Sequence, residues 1–275
     1  MVRPKKHLGQ HFLTDRSIAR RIVQALDHSP GACVIEIGPG KGILTEPLIE
    51  KDVRLVLIEL DPESVHYLLR KWPQLIEGLI EKDFLKVNLD ELCSEPFHII
   101  GNFPYNISSQ IFFRILEQRH RVLSVVCMLQ KEVADRITSP PGSREYGILS
   151  VLLGAYFDTE QLFTVKPGSF FPPPKVTSSV IRLTRNQVRT LPCDESLFFR
   201  TVKTVFNQRR KMIRNSIKSI LLNLNGGSNH LSKRPDGTEV PEEEFALLRR
   251  RPEELGVTEF IELTRWVKSK LSDSM

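Results

Sequence analysis

An apolar run, Phe97-His-Ile-Ile100, ends in Gly101-Asn-Phe-Pro-Tyr105. Proline there stops a strand ladder, and an amide and a phenol are costly to bury without partners. The stretch therefore reads as the mouth of a site. Its residue types suit one kind of chemistry. The exocyclic amine of adenine is a poor nucleophile because its lone pair is delocalised into the ring. The amide oxygen of Asn102 and a backbone carbonyl, accepting from the two N–H bonds, pull that nitrogen toward tetrahedral geometry. Pro104 helps present the carbonyl, and Tyr105 offers a ring on which a base stacks. A neutral Asn suffices, since the amine becomes strongly acidic once it attacks a methyl sulfonium. The rate then comes mainly from alignment.

A second constellation lies upstream. Val34-Ile-Glu-Ile-Gly38-Pro-Gly40-Lys-Gly42 reads as a strand running into a glycine turn and then a helix. Gly38 and Gly40 let backbone N–H groups approach a ligand closely. Glu59 ends the next apolar run, where an acid grips ribose hydroxyls, and Asp83 follows the third. Ile43 stands where the dinucleotide pattern would place its last glycine. A cofactor with a ribose and an adenine but no pyrophosphate fits better. Each feature alone is also compatible with a structural turn or a strand-end surface acid; their order along three strands favours the binding reading.

The elements that must hold these residues alternate. Candidate strands at 34–37, 54–58, 79–81, 98–100 and 123–129 are almost continuously apolar, as strands covered on both faces are. Residues 17–26 and 107–116 have helical spacing, so an open doubly wound α/β sheet is expected. Two late runs, 161–165 and 176–183, flank the proline-rich segment Lys166-Pro-Gly-Ser-Phe-Phe-Pro-Pro-Pro-Lys175 and should pair antiparallel at one edge. Beyond Leu183 the texture is helical. One apolar stripe from 197 to 221 ends at Asn225-Gly-Gly-Ser, and Phe245-Ala-Leu-Leu and Phe260-Ile-Glu-Leu mark two shorter helices. A domain boundary is placed near residue 185, giving domains 1–185 and 186–275.

Length and composition agree: 275 residues with 40% apolar content can bury a large core and a smaller companion. The basic start lacks the apolar stretch of a signal peptide, and no run reaches the roughly 20 residues of a membrane span. A cytoplasmic protein is expected, with Cys33, Cys93, Cys127 and Cys193 as reduced thiols rather than bridges or zinc ligands. The net charge of +6 is uneven: from Arg182 onward 18 Lys/Arg face 12 Asp/Glu, and the earlier part balances. No acid occurs from Ser196 to Pro235, a stretch that holds Arg209, Arg210, Lys211, Arg214, Lys233 and Arg234. Such a face attracts phosphate backbones; a solvated helix face is the plainer alternative.

Asn102-Phe-Pro-Tyr105 resembles the Asn-x-Pro-Tyr motif of S-adenosylmethionine-dependent adenine-N6 methyltransferases. Leu8-Gly-Gln-His-Phe-Leu13, Glu36-Ile-Gly-Pro-Gly40, Ile58-Glu-Leu-Asp61, Met128-Leu-Gln-Lys-Glu-Val133, Phe170-Phe-Pro-Pro-Pro-Lys175 and Phe206-Asn-Gln-Arg-Arg-Lys211 extend the likeness, in order, to the KsgA-type ribosomal RNA dimethyltransferases. The resemblance implies a class I, Rossmann-like methyltransferase domain with a mainly parallel seven-stranded sheet, and a small all-helical C-terminal domain that binds RNA. It further implies S-adenosylmethionine as methyl donor and dimethylation of two adjacent adenines in the 3′-terminal hairpin of small-subunit rRNA; no metal and a monomer are expected, although the sequence does not fix the oligomeric state. His11, Leu13, Gly38, Glu59, Asp83 and Asn102 fall on cofactor-contacting positions. Pro104 and Tyr105 complete the base-holding motif, and Phe170 occupies the position whose ring stacks on the flipped adenine. Phe171 lies beside it, and the sequence leaves open which ring faces the base. His11 stands where the family often has Asn, and Phe103 where Leu is commoner.

Arg209, Arg210, Lys211 and Arg214 are expected to contact phosphates. The competing readings are a large-subunit rRNA adenine methyltransferase conferring antibiotic resistance and a pre-rRNA-binding assembly factor. Phe170-Phe-Pro-Pro-Pro-Lys and Gln208-Arg-Arg-Lys favour the small-subunit enzyme over the first.

Overall fold

The computed structural model describes residues 2–5, 8–224 and 246–272. Five of the apolar runs form parallel strands: β1 (Ala32–Ile37), β2 (Val53–Glu59), β3 (Leu79–Glu81), β4 (Phe97–Asn102) and β5 (Val122–Gln130). β6 (Phe157–Val165) and β7 (Ser178–Arg185) follow, and β7 inserts antiparallel between β5 and β6. The sheet order is β3-β2-β1-β4-β5-β7-β6. Central strands β1 and β4 are buried over most of their length, as their unbroken apolarity requires, while edge strand β6 is half-exposed. The strand order reverses between β1 and β4, and crevices at such points, outside the carboxyl ends, are where open α/β sheets bind ligands.

Helices α1 (Arg16–Gln24), α2 (Thr45–Ile49), α3 (Pro62–Lys71), α4 (Leu89–Leu92), α5 (Ser108–Glu117) and α6 (Lys131–Thr138) accompany the sheet. Their starts are written in capping chemistry. Asp15 accepts from the N–H groups of Ser17 and Ile18, and Asp61 accepts from that of Glu63 ahead of a Pro62 start. A two-residue antiparallel ribbon joins Phe12 to Phe171 and Leu13 to Phe170.

By packing, the chain divides into two compact units, residues 1–135 with 157–186, and residues 136–156 with 187–275. The boundary expected near 185 omitted residues 136–156 from the helical unit. That unit holds α7 (Ile148–Gly154), α8 (Glu195–Asn207), α9 (Ile213–Leu224) and α10 (Val257–Ser272), with the rings of Phe206 and Phe260 stacked at 5.8 Å. The single stripe expected from 197 to 221 is two helices. Bonds from Arg209 N to Phe206 O and from Lys211 N to Gln208 O turn the chain, and Ile213 N is taken by Arg250 O. The helix at Phe260 runs 16 residues, longer than its short apolar signal suggested. Lys233, Arg234, Phe245 and the Asn225-Gly-Gly-Ser stop lie outside the described residues.

Cys33 and Cys93, expected to be separate thiols, meet sulfur to sulfur in the first unit. Their Cα atoms are 7.1 Å apart, more than a disulfide spans without backbone movement. They are a close buried pair, whereas Cys127 and Cys193 are free. Among the described residues no helix is long and apolar enough to cross a membrane.

Candidate active site

The ends of β1, β2 and β4, with residues 8–12, enclose a cleft of about 930 Å³, part of it open to solvent. Its glycine turn follows β1. Gly38 has φ +64° and a Cβ there would meet nothing within 4 Å, so its backbone faces open space. Gly40 has φ +56°, and a Cβ there would come within 2.8 Å of the Phe12 ring. Any side chain at Gly40 therefore both strains the backbone and displaces a wall of the cleft.

Glu59 closes β2 with both oxygens engaged: Oε2 accepts from Gly40 N and Oε1 from Asp61 N, each at 2.9 Å. Burial pushes its carboxyl above the ordinary range, and the two backbone donors work against that rise. Each oxygen keeps a further lone pair for a hydroxyl donor in the cleft. Asp83 lines the same wall and steadies its own loop by accepting from Leu85 N at 3.0 Å.

The Asn-Phe-Pro-Tyr turn follows β4. Asn102 Nδ2 donates to the backbone oxygen of His11 at 2.8 Å. A carbonyl can only accept, so this bond settles which end of the amide is nitrogen. Asn102 Oδ1 is buried and, among the described residues, has no hydrogen-bond partner. A buried acceptor left unpaired costs free energy unless a donor arrives, and this one belongs to a residue lining the cleft. Phe103 N continues the ladder to Met128 O at 2.9 Å, and its ring is buried edge-on against Phe112 at 5.7 Å. The bulkier Phe103 thus packs largely into the core.

Tyr105 is fixed on two sides. Its hydroxyl bonds Ser178 Oγ at 2.5 Å, and its ring stacks on His11 at 5.3 Å with 27° between planes. Burial pushes its phenol up, so it stays neutral. His11 Nδ1 bonds Pro172 O at 2.8 Å and must donate, because a carbonyl has no proton to give. His11 thus lines the cleft with its ring held between Tyr105 and Pro172 O.

Eight residues singled out in the sequence share this cleft: His11, Gly38, Gly40, Glu59, Asp83, Asn102, Pro104 and Tyr105. Leu13 is buried and lines a smaller adjoining pocket with Gly38 and Asn102. Phe170 departs from expectation. It is buried in the core with Leu13, Met128, Val165 and Val180, outside the cleft lining. Phe171 is the exposed ring, at 58%. The pleat explains this, since successive side chains leave a strand on opposite faces.

Two acids went unremarked as site residues. Glu36, 1% exposed, accepts from Thr45 Oγ1 at 2.7 Å and borders the smaller pocket. Burial pushes its carboxyl up to about 8, with the nearby Glu59 charge adding to the rise. Its signals were an acid inside an apolar run and its place at the head of Glu36-Ile-Gly-Pro-Gly40. Asp61 is buried and accepts from Lys5 Nζ at 2.5 Å and Ser64 Oγ at 3.1 Å, tying the N-terminal segment to the start of α3.

In the helical unit the basic cluster is not uniform. Arg209 donates to Ser143 O at 3.1 Å and pairs with Glu253 at 3.7 Å, an internal structural role. Arg210 and Lys211 are exposed, and Arg214 is half-buried.

Residues 1–234 match the family of ribosomal RNA adenine dimethylases. A Bacteroides thetaiotaomicron protein named ribosomal RNA small subunit methyltransferase A is 50% identical over 272 residues, covering 98% of this chain and 96% of that protein. Among solved structures, a dimethyladenosine transferase from Plasmodium falciparum shares the fold, with TM-score 0.76 at 23% identity over 94% of this chain and 98% of that one. The 23S rRNA methyltransferase ErmE is similar at TM-score 0.64 and 26% identity, over 91% of this chain and 99% of that one.

Proposed function

The chain belongs to the ribosomal RNA adenine dimethylase family, and from that premise we infer that it dimethylates N6 of two adjacent adenines in the 3′-terminal hairpin of small-subunit rRNA. The observation that carries this reading is Asn102 Oδ1, a buried acceptor held in place by the Nδ2–His11 bond and lacking a donor among the described residues. An extruded adenine brings a donor of the right kind, its exocyclic N–H. The small-subunit relative at 50% identity outweighs the 23S enzyme at 26% as a guide to substrate.

S-adenosylmethionine, when bound, supplies an electrophilic methyl carbon, so no metal is needed to activate it. The cleft fits such a donor molecule. Gly38 offers open backbone, Glu59 has spare lone pairs for ribose hydroxyls, and Asp83 stands as a third acceptor. A base inside a duplex cannot reach the cleft, so the nucleotide must be splayed out. Tyr105, clamped by Ser178 and His11, then gives the base a fixed ring to lie on. Asn102 Oδ1 accepts one N6–H, and the nitrogen lone pair turns toward the methyl carbon. A bound donor would supply the methyl carbon with the C–S electron pair leaving on sulfur, and the proton that N6 sheds would pass to solvent.

On this reading the first unit performs the transfer and the helical unit, with Arg210, Lys211 and Arg214, contributes phosphate contacts. On the same reading the protein acts in the cytoplasm, where its ribosomal substrate lies. Incubating it with labelled donor and unmethylated small subunits, followed by nucleoside mass analysis, tests the reading. N6,N6-dimethyladenosine at two neighbouring positions is the expected product. Methyl groups on ribose oxygen, or transfer only to large-subunit RNA, would overturn it.

A further inference from the structure

Phe171 is more than half exposed although its backbone is held on both sides. It pairs across the ribbon with Phe12, a wall of the cleft, and the preceding Ser169 O accepts from Thr14 N at 2.8 Å and Thr14 Oγ1 at 3.0 Å. The following residue, Pro172, gives its carbonyl to His11, which itself stacks on Tyr105. A scattered surface Phe needs no explanation. This one is presented by a pinned backbone, one strand position from the cleft, with its neighbour Phe170 already filling the core.

The surrounding charge favours nucleic acid. Lys166 and Lys175 flank the segment and are both exposed, and no carboxylate occurs between Gln161 and Arg185. An exposed ring on a pinned backbone, in a segment bounded by exposed cations and lacking acids, offers what single-stranded nucleic acid uses: bases stack on the ring and the backbone follows the charge.

We propose that Phe171 is an outer stacking platform for an unpaired nucleobase that neighbours the target adenine. The target itself enters the cleft against Tyr105. The assignment rests on the reading of the chain as an RNA adenine methyltransferase. It adds a second base-binding position, one that would hold the RNA in register while its neighbour reacts. The ligand is a purine or pyrimidine face, so stacking and not hydrogen bonding carries the contact.

Steady-state transfer to unmethylated small subunits, and binding to a hairpin RNA with an abasic residue at each position flanking the target in turn, test it with Phe171→Ala, Phe171→Leu and Phe171→Trp. KM and RNA Kd should rise about tenfold in the alanine and leucine variants, the size of one lost base–aromatic stack. Phe171→Trp should restore them, while kcat and donor affinity stay within about twofold of wild type. One abasic position should weaken wild-type binding by a similar factor and leave Phe171→Ala unchanged. Leucine performing as well as phenylalanine, or an abasic penalty fully retained by the alanine variant, would overturn the platform. A wild-type protein that methylates no small subunit would instead overturn the function on which the platform rests.

Discussion

The cleft of the sheet unit and the basic turn of the helical unit use polar side chains in opposite ways. In the cleft Asn102 and Glu59, and next to Glu59 the buried Asp61, are each oriented by a named backbone or side-chain partner. In the helical unit, Arg210 and Lys211 stand in solvent between α8 and α9. Preorganised dipoles in a dry site act atom by atom and gain from every fixed bond. Exposed cations act through their number and through the counterions they displace. Single-atom changes should therefore be severe in the first region and gradual in the second.

The sharpest test of that contrast is Asn102→Ala. It removes the unpaired acceptor and the anchor to His11 together, and single-turnover methyl transfer should fall by about 10²–10³-fold or more, the range for losing one preorganised polar group. Affinity for the donor molecule, measured by calorimetry, should change far less. If transfer survived within a factor of a few, the cleft would not operate atom by atom. Glu59→Gln comes next. The neutral amide can still accept from one of the two N–H groups but adds a donor facing the other, so the glycine turn loosens. Donor Kd should rise roughly ten- to a hundredfold, as when one partner of a hydrogen bond to a charged group is lost.

Much of the cleft could be read from sequence because its signals are local. The strands are unbroken apolar runs, Gly38 and Gly40 follow β1 directly, and Asn102, Pro104 and Tyr105 lie within four residues. What sequence missed depended on partners far along the chain. Phe170 and Phe171 are chemically identical neighbours, and only the ribbon with Phe12 and Leu13 sets which one faces inward. Arg209 looked like its basic neighbours until Ser143 O and Glu253 claimed it. The turn that splits the long stripe into α8 and α9 is held by Arg250 O, 37 residues from Ile213 N. Residues 136–156 join the helical unit because Tyr146 and α7 pack on α8.

Glu36 sharpens the comparison from the side of stability. Its carboxyl is raised to about 8 in the fold, against about 4.3 in an unfolded chain. The folded state then holds a proton that the unfolded state releases, so the contribution of this one group is full below about pH 4 and declines as pH climbs toward 8. Replacing it by glutamine should flatten that decline, removing a slope of at most about 1.4 kcal/mol per pH unit. Urea midpoints measured from pH 5 to 8 read this directly. An unchanged slope would mean that Glu36 is ionised in the fold despite its burial.

The gentlest change belongs to the basic turn, and it is where the contrast is easiest to misjudge. Replacing all four of Arg209, Arg210, Lys211 and Arg214 would mix two effects, since Arg209 holds Ser143 and Glu253 inside the helical unit. The clean variant is Arg210→Ala with Lys211→Ala, both exposed. If each touches one phosphate, the slope of log K against log salt should drop by about 1.4 to 1.8 in magnitude. Affinity at physiological salt should weaken only several-fold, with thermal stability unchanged. Adding Arg209→Ala should lower stability while altering the salt slope little further. A salt slope that moved with Arg209 and not with the exposed pair would place the phosphate contact on the internally bonded arginine, and the two regions would then work by the same rule.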